Sequence, residues 1–172
     1  MELRLTFSGK RVRYLCQQRC AGNHHKTGLM LTKRAKYAIK ALLHLSRKRG
    51  SGPVGAGIIA ETEHIPLKFL ELILLQLRNH DIIRSKVGKG GGHEMVKEPE
   101  EITLLMVIRI IDGPVAPLPC LSRTAYQRCE DCDDEKTCGT RRLFKNVHDA
   151  AVEMMSSTTL ADSGRSRPTP SR

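Results

Sequence analysis

Four of the chain's six cysteines are gathered in one stretch, Cys120-x8-Cys129-x2-Cys132-x5-Cys138. Between Arg128 and Lys136 this stretch also carries Glu130, Asp131, Asp133, Asp134 and Glu135. It lacks the apolar periodicity of a core-forming helix or strand. A segment this polar has little reason to order unless something inorganic, or a disulfide, ties it down. Thiolates bind soft metals, and a pair two residues apart suits one ion or cluster. Three chemistries therefore compete here: an iron–sulfur cluster, structural zinc and a disulfide loop.

The remainder of the 172 residues amounts to one domain with appendages. Net charge is +11, from 29 basic and 18 acidic residues. That excess suits a polyanion, and DNA before membrane, since no long apolar span occurs. No Trp, three Tyr and three Phe are too few for a single-strand stacking platform. Met30–Lys97 holds 13 basic and 5 acidic residues, net +8, while Glu98–Cys138 holds 4 and 9, net −5. A basic front half followed by an acidic cysteine segment fits a DNA-binding head with a sensor behind it. Residues 1–29 contain no apolar signal-peptide core, so a reducing cytoplasm is the expected compartment. There, clustered cysteines hold metal more often than disulfides.

Residues 1–29 read as a disordered basic extension, with Arg4, Lys10, Arg11, Arg13, Arg19 and Lys26 against Glu2. Cys16-x3-Cys20 with His24 and His25 is a second, looser metal candidate. Thr32 then caps a helix expected to run to about Arg49, with Ala35, Ala38, Ile39, Leu42 and Leu45 on one face. Lys33, Arg34, Lys36 and Lys40 crowd its first half, against the helix dipole, and phosphate is a candidate partner for them. A short helix, about Ala56–Glu63, is expected to turn Ile58 and Ile59 inward. After a tight turn at His64, a helix over Pro66–Asn79 is expected to bury Leu67, Leu70, Ile73, Leu74 and Leu77. Lys68, Glu71, Gln76 and Arg78 are left outward. Such a pair is either a small helical hairpin or a helix-turn-helix, whose second helix would enter the major groove by its N-terminal residues.

Ile82–Val87 reads as a strand, Gly88–Gly92 as a turn, and His93–Val96 as the returning strand. Lys86 and Lys89 at its tip would reach phosphate or the minor groove. A nucleotide-phosphate loop needs a helix directly after the glycines, and a strand is expected there instead.

LTKRAKYAIKALLHL (Leu31–Leu45), IPLKFLELILLQLRNHDII (Ile65–Ile83), KVGKGGGHEM (Lys86–Met95), the cysteine segment and TTLAD (Thr158–Asp162) together resemble the IscR/NsrR/RirA-type winged-helix regulators of the Rrf-two superfamily. The likeness runs over about Met30–Asp162. It implies a mainly α fold with a small β wing, and a homodimeric DNA-binding repressor or activator. It also implies an iron–sulfur cluster that senses iron, redox state or nitric oxide. Two positions depart from the pattern. Val87 stands where members that read DNA with the wing often have Arg. Members with three cysteines take a fourth ligand at a position that is Arg141 here, or in a region that is Lys36-Tyr37 here; the extra cysteine of this chain offers a replacement.

Thr103 is expected to cap a buried helix to about Ile111, stopped by Asp112-Gly113-Pro114. A long helix over Thr140–Ser157 carries Leu143, Phe144, Val147, Ala150, Ala151 and Met154 at helical spacing and resembles the family's dimerisation helix. His148 is expected on its solvated side. Ser163–Arg172 reads as a disordered tail. The organisation expected is therefore an extension (1–29), a winged head (30–97), a cysteine loop with dimerisation helix (98–162) and a tail. No Ser–His–Asp set, P-loop or paired-carboxylate site argues for an enzyme. The expected molecule is a cytoplasmic homodimer on a palindromic operator, outside any membrane. Lys33, Arg34, Lys36, Lys68, Glu71, Lys86 and Lys89 are its DNA contacts. Cys120, Cys129, Cys132 and Cys138 hold the cluster, with [2Fe–2S] slightly preferred over [4Fe–4S] and zinc as the alternative. A zinc-clipped DNA-binding protein, an electron carrier and a partner protein without DNA binding are the rival functions.

Overall fold

Two threonines start the helices that frame the molecule. The computed structural model describes residues 31–164. The expectations for residues 1–29, including Cys16, Cys20, His24 and His25, and for most of the C-terminal tail lie outside the described residues. The elements are α1 (Lys33–Arg47), α2 (Ala56–Glu63), α3 (Leu67–Asn79), β1 (Ile83–Lys86), β2 (Gly92–Met95), α4 (Leu104–Asp112) and α5 (Gly139–Ser157). Single 3-10 turns occupy Pro119–Leu121 and Leu160–Gly164. Thr32 accepts the Ala35 N–H at 3.1 Å, and Thr103 accepts the Met106 N–H at 3.2 Å, as helix caps. The Thr32 hydroxyl also donates to the Asp112 carboxylate at 2.7 Å, joining the start of α1 to the end of α4.

The core lies among α1, α3 and α4. Leu42, Ile59, Leu70, Ile73, Leu74, Leu77, Ile82, Ile83, Ile102 and Val107 are its largest sealed side chains. Two inward assignments fail. Ile58 is 58% exposed, because α2 shows a single face to the core and Ile59 takes it. Leu67 is also exposed, since it stands at the first position of α3, ahead of the buried stripe that begins at Leu70. At the α2–α3 turn, His64 adopts the left-handed conformation expected of a tight reversal. Glu63 just before it is nearly covered and faces Lys40, His44 and Arg47 of α1, with N–O separations of 3.4–3.6 Å.

β1 and β2 pair antiparallel, with Ile83 opposite Met95 and Lys86 opposite Gly92. Val54 adds a short third rung by exchanging both backbone hydrogen bonds with His93, at 2.9 and 2.8 Å. Gly91 and Gly92 make this wing possible in different ways. A Cβ on Gly91 would lie 2.3 Å from the Lys86 carbonyl oxygen, and one on Gly92 would lie 2.4 Å from the Val54 carbonyl carbon. At the other end of the chain, Thr158 and Leu160 hydrogen-bond the backbone around α4 (Leu104 N–H to Thr158 O, 2.8 Å; Leu160 N–H to Ile102 O, 3.0 Å). Leu160 is thereby buried in the main core.

Gly92→Ala is expected to open the Val54–His93 rung and cost about 1–3 kcal/mol, as overpacking does. Hydrogen exchange at the Val54 and His93 amides should accelerate, while protection of the α3 core amides is retained. Unchanged exchange at both amides would contradict the steric argument.

Candidate nucleic-acid interface and thiol site

α3 projects from the core with a sharply divided surface. Leu70, Ile73, Leu74 and Leu77 point in, while Lys68, Glu71 and Arg78 are exposed. Lys33, Arg34 and Lys36 are exposed on the first turns of α1. One of these expected contact residues, Arg34, is also tied to α3 at the surface: its guanidinium donates to the Gln76 side-chain oxygen at 2.6 Å. Lys86 and Lys89 are exposed at the wing, and Val87 between them is 96% exposed. Behind them Arg84 pairs with Glu94 at 2.8 Å across the hairpin. His93 shares a hydrogen bond with Ser85 at 3.0 Å; burial, and then the nearby Arg78 charge, lower its pKa.

The thiol segment is held by short-range polar contacts. Cys132 donates its proton to the Cys138 sulfur at 3.5 Å. That bond, and then Cys129 beside it, push the Cys132 thiol up to about 12. Cys138 moves the other way. It caps α5, its sulfur accepting the Arg141 N–H at 3.4 Å, and this bond, then the Cys132 thiol, lower its pKa. A helix N-terminus stabilises a thiolate in just this manner. Cys120 is buried in the 3-10 turn, and its carbonyl accepts from the Arg141 guanidinium at 3.3 Å. Arg141 also faces Glu135 at 3.6 Å, so one side chain spans the cysteine turn, the acidic loop and the start of α5. In the sequence Arg141 stands out only as a residue that cannot ligate metal, and nothing in its spacing signals this tether. Among the described residues, no three ligating side chains converge at metal-binding spacing. The Cys132–Cys138 pair, with Cys129 alongside, is the nearest approach to such a set. Its soft donors, one of them with a lowered pKa, fit a thiophilic metal or cluster.

α5 corrects one expectation. His148 is only 5% exposed and is the buried residue of this helix. α5 packs against α4 and the Pro119–Leu121 turn. Arg141, Ala151, Val152 and Met155, on the His148 side, are half-buried. The apolar stripe read from the sequence lies mostly on the opposite side. Leu143, Val147 and Met154 are exposed, Leu143 by 75%, with Phe144 at the flank. No described helix is long and apolar enough to cross a membrane.

In reduced, metal-free protein, Cys138 is expected to react faster than Cys132 with iodoacetamide below the ordinary thiol pKa of about 8.5, because its lowered pKa gives it more thiolate there. Cys132, held protonated, should be the slower of the two. Identical pH–rate profiles for the two, resolved by peptide mass spectrometry, would refute this order.

Residues 31–164 match the family model described as Rrf2, iron-dependent transcriptional regulator. An rrf2-like HTH-type transcriptional regulator of Rhodobacter capsulatus is 43% identical over 136 residues, covering 77% of this chain and 91% of the relative. The HTH-type transcriptional regulator IscR of Pectobacterium atrosepticum is 30% identical over 132 residues, covering 77% of each. The solved structure of CymR, the global cysteine regulator of Bacillus subtilis, superposes with a TM-score of 0.66 at 29% identity, covering 82% of this chain and all of that one.

Proposed function

The chain belongs to the Rrf2 family of transcriptional regulators, and from that premise we propose that it is a cytoplasmic, homodimeric, operator-binding regulator of the IscR/NsrR type, switched by an iron–sulfur cluster. Residues 30–97 form the DNA-binding head and residues 98–162 the cluster loop and dimer helix. The observation that carries the switch is the thiol pair at the start of α5, with Cys138 as helix cap and Cys132 at 3.5 Å. Cys120, Cys129, Cys132 and Cys138 are the proposed ligands, for [2Fe–2S] ahead of [4Fe–4S]. When bound, an iron–sulfur cluster supplies redox chemistry that zinc lacks.

The chain's own residues turn occupancy into DNA affinity. Cys138 fixes where α5 begins, and Arg141 ties that point to the Cys120 turn. Releasing the thiols frees a loop with little apolar anchorage, so α5 is less firmly placed. The exposed stripe of Leu143, Val147 and Met154 is the proposed dimer surface, and it sets the spacing of two heads on half-sites about 34 Å apart. The freed acids also compete with phosphate for the basic head. On that head, Lys33, Arg34, Lys36, Lys86 and Lys89 hold phosphate, while Lys68 and Glu71 face base edges.

Protein purified anaerobically should absorb in the visible range, and colourless, zinc-loaded protein would defeat the cluster while sparing the DNA reading. Holo protein should bind a full palindrome more tightly than apo or Cys132→Ala protein, with a smaller difference on a half-site. Equal affinities at one salt concentration would overturn the coupling. Lys89→Ala should weaken binding to all sequences and reduce the salt slope by about 0.9.

Leu143→Asp combined with Val147→Asp should leave the fold intact and give a monomer in sedimentation. The palindrome should then be bound no better than a half-site. A variant that remains dimeric would place the dimer surface elsewhere.

A further inference from the structure

We infer that Leu72 and Leu75 of α3 are specificity-determining residues that read thymine through its 5-methyl group; this rests on the DNA-binding reading above and goes beyond it. Leu72 is 59% exposed and Leu75 is 43% exposed, on the surface of α3 that faces away from the core. Neither arises from a shortage of buried positions, since Leu70, Ile73, Leu74 and Leu77 already fill the inward face. Residues four apart are neighbours on a helix surface. Leu72 therefore lies beside Lys68, and Leu75 beside Glu71. Both of those polar side chains are exposed, with no hydrogen bond or ion pair among the described contacts. The opposite edge of the helix is committed, because Gln76 takes the Arg34 guanidinium.

A cation, a carboxylate and two leucines on one free helical face match what the major groove displays. Phosphate lines the groove, cytosine presents an N4 donor, and thymine presents a methyl group that accepts apolar contact. The leucine pair offers far less than the ~800 Å² per partner of a stable protein interface, and exposed Lys68 and Arg78 flank it. DNA is therefore favoured over a protein as the occupant. Burying a methyl group against leucine is worth ~0.8 kcal/mol, which converts to about fourfold in affinity.

The test uses the full chain and a site it selects from random duplex DNA. Each thymine of the selected half-site is replaced in turn by uracil, which keeps every hydrogen-bonding group and removes only the methyl. For the unaltered protein, at least one replacement should weaken binding about fourfold. The same replacement should be neutral for Leu72→Ala or for Leu75→Ala. Because both leucines are exposed, the variants should keep their thermal stability, which circular dichroism checks. A selected half-site without thymine, or one indifferent to every replacement, overturns the inference and leaves the DNA reading standing. Loss of the same size in both variants also overturns it. A changed oligomeric state in Leu75→Ala assigns the patch to a second copy and overturns it as well. Failure to select any sequence defeats the DNA reading itself, and this inference with it.

Discussion

Ala35, Ala38 and Ala41 lie along α1 at three-residue steps and are wholly buried, so along that strip, beside the larger Leu42 and Leu45, neighbouring elements meet only methyl groups. α1 touches α2, α3, α4, β2 and the 3-10 turn at Leu160. Small residues at a packing seam permit close approach, and the leucines and isoleucines of α3 and α4 then fill the remaining volume to interior density. Larger side chains on this face would push several elements apart at once. The orientation of α3, and so the direction in which its free surface projects, follows from this seam. The Thr32–Asp112 bond and the Glu63 cluster hold its two ends in register.

The thiol segment follows a different physics. From Arg123 to Thr137 no side chain is buried. Order there comes from local polar bonds: Tyr126 to Glu135 at 2.8 Å, Lys136 N–H to Asp134 at 3.0 Å, and the Cys132–Cys138 contact. Each such bond is worth only about 0.5–1.5 kcal/mol net, and exposed ones contribute least. A segment with so little apolar anchorage belongs to the low-stability end of a molecule, from which switching elements are drawn. Its junctions are firmer, since Cys120 sits in a buried turn and Cys138 caps a helix of five turns. The proposed switch uses this contrast between fixed ends and a weakly held middle.

Legibility in the sequence followed how local the physics is. Thr32 and Thr103 announced their helices because a cap acts over three residues. The glycine run announced a turn for the same reason. Its steric roles were hidden, because the atoms that exclude a Cβ at Gly92 belong to Val54, far away in the chain. Ile58, Leu67 and His148 were misplaced for a related reason. Periodicity shows that a helix has an apolar side, but not which side the rest of the chain covers. α5 has two candidate faces, and the less apolar one, which carries buried His148, is the covered one. The clustering of four cysteines along the chain is visible in the sequence, whereas the Arg141 tether that links two of them is not. A bond from a guanidinium to a carbonyl leaves no trace in residue spacing.

Two apolar surfaces remain uncovered on the described residues, and their settings separate them. The α5 stripe runs for several turns, Leu143 to Met154, with exposed Arg142 and Glu153, of opposite sign, along one edge. A long apolar seam flanked by balanced charge is what a second identical helix can match, because each copy offers the other the same surface. The α3 leucines are two residues one turn apart, between Lys68 and Arg78, in the strongly basic part of the chain. Lys68 and Arg78 outnumber Glu71 there, so a second copy brought to that face would set one net positive surface against another, which opposes association. A polyanion would instead neutralise it. Similar exposure of the same residue type thus points to a like partner on α5 and to an unlike one on α3, and the charge around each leucine decides between them.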